Sequence, residues 1–107
     1  MARASISEAV KQQAEEIVER FNKSLPRRKE QFYVPRFKGK YLYLDRSNYG
    51  RKGPICRLEY TGDMEGWLFA IYKYSDNCYE EGELFPGDQF VDGTIEGAMK
   101  AGMKAYS

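Results

Sequence analysis

Histidine is absent from the 107-residue chain, and that absence removes a large block of chemistry. Without imidazole there is no Ser-His or Cys-His nucleophile pair, no histidine general base, and no zinc site that uses a histidine ligand. Cysteine is scarce: Cys56 and Cys78 stand alone and far apart, with no Cys-x-x-Cys spacing. A structural zinc site would have to recruit carboxylates to complete its ligand set. The expectation is two buried or half-buried thiols in a reducing compartment, since free cysteine packs as a small hydrophobe. Phosphate-cradling loops are missing too. Neither Gly-x-x-x-x-Gly-Lys-Ser/Thr nor Gly-x-Gly-x-x-Gly occurs, and the nearest stretch, Gly97-Ala98-Met99-Lys100-Ala101-Gly102, lies in a helical segment. No apolar run approaches the ~18 residues of a membrane span, and Met1 to Lys11 shows no signal-peptide core. These absences lead to the expectation of a cytoplasmic protein with no membrane association, cofactor, metal or catalytic residue.

What is present describes one folded unit, a single domain over residues 1–107. The composition is 42% hydrophobic, 31% charged and 15% aromatic, which supplies the apolar surface needed to offset chain entropy. A chain of this length has room for one modest core.

The first element is a helix. Ser5 followed by Glu8 reads as a capping box, and Val10, Ala14, Ile17, Val18 and Phe21 recur at spacings of three and four. Asn22, Ser24 and Pro26 end it. Strands follow. Gln31 to Phe37 is interrupted by Pro35 and reads as an edge strand. Lys40 to Arg46 places Tyr41 and Tyr43 on one face, Leu42 and Leu44 on the other. Ile55 to Tyr60 alternates, with Cys56, Leu58 and Tyr60 opposite Arg57 and Glu59. Trp67 to Tyr74 is apolar on both faces and reads as the central strand. The links 47–54 and 61–66 carry turn residues, and short links favour an antiparallel meander. Residues 75–92 are acidic and lack a period, a long loop for a compact domain unless it hides a short strand. A C-terminal helix, capped by Asp92 or Thr94, runs to about Tyr106 with a small-residue face of Ala98, Ala101, Gly102 and Ala105. That face lets a backbone approach the sheet at the expense of helix propensity at Gly97 and Gly102. The expected fold is α+β: an antiparallel meander of about four strands, with both terminal helices on one face. Trp67, Phe69, Ile71, Leu58, Ile17, Phe21, Ile95 and Met99 are the expected core.

Two segments carry a resemblance. Pro54-Ile55-Cys56-Arg57-Leu58-Glu59-Tyr60, followed by Trp67 and Tyr72 and preceded by Phe21 and Arg27-Arg28, resembles the core of a small uncharacterised prokaryotic domain family. The tail Asp92-Gly93-Thr94-Ile95-Glu96-Gly97-Ala98 is similar to uncharacterised proteins of prokaryotes. The first likeness covers about half of the chain, and the helix beyond Asp92 departs from it. Neither brings an activity, so no functional residue is carried over.

Charge is the most informative pattern. The net charge of +1 hides a division: residues 20–58 hold twelve Lys and Arg against Glu30 and Asp45, a net +10. Residues 59–96 hold ten acids against Lys73, a net −9. One reading is that basic strands and acidic segments neutralise each other inside the fold, with Arg51 and Lys52 paired to the acidic loop. Another is a surface for single-stranded nucleic acid, in which Lys38, Lys40, Arg46, Arg51 and Lys52 meet phosphates and Tyr41, Tyr43 and Tyr49 stack on bases. Against it, the isoelectric point near 7.7 is low for a dedicated nucleic-acid domain. A third reading is a protein-interaction module. Asp76, Glu80, Glu81, Glu83 and Asp88 do not follow the spacing of a calcium loop and read as a solvated segment. The functional expectation is therefore a small non-enzymatic binding domain, its partner nucleic acid or another protein.

Overall fold

The structure, a computed structural model, describes residues 6–26, 29–82 and 85–106. Helix α1 spans Glu8–Lys23 and is followed by strands β1 Gln31–Lys38, β2 Tyr41–Asn48, β3 Arg51–Glu59, β4 Leu68–Lys73 and β5 Cys78–Glu81. A short 3-10 turn at Asp88–Phe90 leads to helix α2, Ile95–Ala105. Among the described residues the sheet has five strands in the order β1-β2-β3-β4-β5, every neighbouring pair antiparallel. The α+β meander with terminal helices is thus the observed fold, with one strand more than expected.

The added strand, β5, lies in the acidic segment that showed no period. Four residues are too few to display one, and burial there is only partial. Its presence pairs β4 on both sides, so β4 is an interior strand next to the outermost one, while the middle strand of the five is β3. The link expected over 47–54 is mostly strand. β2 reaches Asn48, β3 begins at Arg51, and the turn is Tyr49-Gly50 alone, with φ of 54° and 87°. Two positive φ values in a two-residue loop give the turn hand that matches strand twist.

The N-terminal cap also differs from the expectation. Ser7 accepts the Val10 N–H at 3.2 Å, so Glu8 is the first helical residue and not the third. Ser5 lies outside the described residues. At α2 the cap is Thr94, which accepts from Gly97 N–H at 3.0 Å. Thr94 in turn donates from both N–H and Oγ1 to Asp92, holding that carboxyl below the usual carboxylate range. Both expected capping residues therefore take part.

The core lies between the sheet and the two helices. Leu42 and Leu44 of β2, Cys56 and Leu58 of β3 and Ile71 of β4 pack against Ala14 and Val18 of α1 and Ala98 and Met99 of α2. Trp67, Ile71, Leu58, Ile95 and Met99 are buried as expected, while Phe69, Ile17 and Phe21 pack at the margin, half-buried. Tyr33 is buried at 1% exposure and donates its hydroxyl to the Met99 carbonyl at 2.8 Å, joining β1 to α2.

The β1 edge is closed from within. The Asn22 amide accepts from Tyr33 N–H at 2.8 Å and donates to Tyr33 C=O at 3.0 Å. Two residues on, Pro35 has no N–H to offer. An edge so occupied is a poor template for another strand.

Candidate functional site

The sheet face away from the helices carries alternate residues of each strand. The register sets Arg36 beside Tyr43, Tyr43 beside Arg57, and Arg57 beside Ala70. Arg36 lies 4.5 Å over the Tyr43 ring and pairs with Asp45 at 3.2 Å. Arg57 lies 4.5 Å over Tyr41 and 5.2 Å over Tyr79, with Glu81 at 3.9 Å. Lys40 is 5.5 Å over Tyr41 and 3.1 Å from Glu59. Tyr43 and Tyr79 meet at 5.5 Å, and Tyr79 meets Tyr72 at 5.0 Å. Ala70 adds no bulk at the centre, so its neighbours close over it and leave it 1% exposed. Burial, then the nearby Asp45 charge, raises the Tyr79 hydroxyl above its ordinary pKa. This face is an interlocked lattice of tyrosines and paired cations, in which each stacked cation also faces a carboxylate.

The second cluster has a different electrostatic character. Between the β2–β3 hairpin and the C-terminal end of α2 lies a cleft of about 470 Å³. Three cations line it: Arg46, Arg51 and Lys52, with Asn48 beside them and Tyr74 and Tyr106 as aromatic walls. No carboxylate is among the described lining residues, and none of the three cations forms an ion pair with a described carboxylate. The acidic segment, expected to neutralise Arg51 and Lys52, does not reach them among the described residues; Glu81 faces Arg57 instead. Glu83 lies outside the described residues.

A β-bulge shapes this cleft. Leu44 pairs with Cys56 and Asp45 with Pro54, so Ile55 is an extra residue on β3. The kink re-aims the strands at this point. Asp45 serves the open face, while Arg46 turns to α2, where it donates to Met103 Sδ at 3.2 Å and to the Tyr106 carbonyl. Arg46 thus complements the negative end of the α2 dipole. It is only 6% exposed, and its Nε has no hydrogen-bond partner. A guanidinium whose described acceptors are all neutral leaves positive potential in a desolvated place. At the rim, Tyr74 is 55% exposed and donates its hydroxyl to the Pro54 carbonyl at 2.8 Å. Tyr49 is 58% exposed at the hairpin tip, in a left-handed conformation unusual for a bulky residue.

The structure therefore divides the eight residues singled out from sequence. Lys40, Tyr41 and Tyr43 sit in the open-face lattice. Arg46, Arg51 and Lys52 come together at the cleft, with Tyr49 in the adjoining turn. Lys38 is exposed at the end of β1, opposite Tyr41 in register. Sequence reasoning missed Asn48, Tyr74 and Tyr106 at the cleft, and Arg36, Arg57 and Tyr79 in the lattice. The contacts of Tyr74 and Tyr106 depend on the distant meeting of β4 and α2, which no local pattern announces.

Neither cysteine is set up as a nucleophile. Burial pushes the Cys56 thiol up, and Cys78 is raised first by its hydrogen bond to Glu80, so both are held in the protonated form. Both are free thiols. Among the described residues no group of three or more Asp, Glu or Cys side chains is placed to hold a metal ion. No described helix is long and apolar enough to cross a membrane. No family model matches the chain, and neither a curated protein nor a solved structure matches it.

Proposed function

We propose that this protein is a small non-enzymatic binding domain of the cytoplasm, and that it engages single-stranded nucleic acid through the cationic cleft. The observation that carries this reading is the convergence of Arg46, Arg51 and Lys52 on one cleft that no described carboxylate lines, bordered by the exposed Tyr74 ring. Phosphates meet cations whose charge is not already spent. Bases find an aromatic face whose stacking does not depend on sequence. The two free thiols fit a reducing compartment. Docking of a protein strand on β1 is disfavoured by the Asn22 clamp and by Pro35.

The reading places binding at the end of the sheet rather than across its open face. There, a phosphate would have to compete with Asp45, Glu59 and Glu81 for cations already stacked on tyrosines.

Fluorescence polarisation of labelled oligo-dT and oligo-U tests the proposal. If the three cleft cations neutralise three phosphate charges, log affinity against log salt should fall with a slope of about −2, at ~0.7 per charge on a single strand. The double variant Arg51→Ala/Lys52→Ala should reduce that slope to about −0.7. Absence of binding at low salt, or binding indifferent to salt, refutes the reading.

A further inference from the structure

We propose that the cleft takes the phosphorylated end of a strand: a phosphate monoester together with its attached nucleotide. The inference rests on the nucleic-acid reading above and sharpens it from any segment of a strand to its terminus.

Size is the first argument. About 470 Å³ lies within the range of small-ligand pockets, roughly 300–1,000 Å³. It accommodates one nucleotide, whereas a strand interior needs a groove that continues on both sides. Charge is the second. An internal phosphodiester carries one negative charge, while a terminal monoester carries about −1.5 to −2 near neutral pH because its second pKa is about 6. Three cations with no described carboxylate among the lining residues are matched to the more highly charged group. They exceed what a single diester requires.

Arg46 supplies the third, independent argument. It is 94% buried by its 6% exposure, it lines the cleft, and its Nε has no partner. Its acceptors among the described residues are a thioether sulfur and the Tyr106 carbonyl. Both are neutral, and phosphate oxygens form stronger, charge-assisted hydrogen bonds with a guanidinium. The monoester therefore has something to gain at the inner wall that a diester, tethered on both sides, cannot reach as freely. Arg51 and Lys52, exposed at the mouth, close on the remaining oxygens. Tyr74 at the rim offers its ring to the terminal base. The geometry does not separate a 5′ from a 3′ phosphate, since both present the same dianion next to a nucleoside.

Competition binding decides the matter with three unlabelled oligo-dT strands of equal length, bearing a 5′-phosphate, a 3′-phosphate or hydroxyls at both ends. Each displaces a labelled 5′-phosphorylated oligo-dT. One of the phosphorylated strands should compete roughly tenfold or more better than the hydroxyl-ended strand, the increment of at least one charge-assisted hydrogen bond. That preference should vanish in Arg51→Ala/Lys52→Ala, both residues being exposed and away from the core. Equal competition by all three strands overturns end recognition and leaves nucleic-acid binding standing. Retention of the preference in the double variant overturns the cleft as its site. If no labelled strand binds at all, both proposals fail together.

Discussion

Trp67→Ala should lower the free energy of unfolding by about 3–5 kcal/mol, the usual cost of truncating a fully buried aromatic. Trp67 is 2% exposed and packs against Tyr60 at 4.9 Å between ring centres. Its backbone N–H donates to the Gly93 carbonyl at 2.9 Å, tying the approach to β4 to the segment that starts α2. The deleted ring therefore leaves a void at a junction that cannot easily collapse. The indole Nε1 is buried without a partner among the described residues, so Trp67→Phe should cost clearly less than Trp67→Ala. Urea unfolding followed by far-ultraviolet circular dichroism checks both. A loss below about 1 kcal/mol for the alanine variant would be that of a surface position and would contradict the placement of Trp67.

Gly102→Val is expected to be the next most damaging change, at about 1–3 kcal/mol or more from overpacking. A Cβ at Gly102 would lie 2.4 Å from the Tyr33 hydroxyl and 2.6 Å from Ile55 Cγ2. Neither neighbour can retreat freely. The Tyr33 hydroxyl is bonded to Met99 C=O, and Ile55 is the bulge residue, 4% exposed. Valine adds branched methyls to a contact already closed. Alanine gains about 1 kcal/mol of helix propensity over glycine, so Gly102→Ala should cost less than the valine change. The same unfolding measurement settles the order. A valine variant as stable as the parent would mean that α2 does not approach β1 and β3 this closely.

Much of this architecture was legible in the chain. Alternation in 41–44 and 55–60 marks the two faces of β2 and β3, because each strand has one face on the helices and one away from them. Pro35 marks the edge. The small residues of α2 mark a close approach, and the structure divides them: Gly102 meets the sheet, whereas a Cβ at Gly97 would strike Asp92 and the Phe90 carbonyl. Phe69, expected in the core, is half-buried and stacks on Phe85 at 5.7 Å, because the chain after β5 returns to cover that end of the sheet.

The site was legible only in part. The basic block identified the right half of the chain, but alternation alone cannot say which cations find acids across strands. Arg36 meets Asp45 on the neighbouring strand, and Arg57 meets Glu81, two strands away. Such pairings depend on register and on β5, which is too short to read. The bulge at Ile55 is equally silent in sequence, while strand alternation sends Asp45 to the open face and Arg46 to the helix side, where it meets no described carboxylate. Tyr41 and Tyr43, the most conspicuous aromatic pair, stack within the protein's own lattice.

Residue-resolved backbone amide shifts during titration with oligo-dT at low salt test the central claim most directly. Binding at the cleft should move the resonances of Asn48, Arg51, Lys52, Gly53 and Tyr74, and leave Tyr41, Tyr43, Arg57 and Tyr79 in place. Perturbations concentrated on the open-face lattice, with the cleft unmoved, would contradict the account.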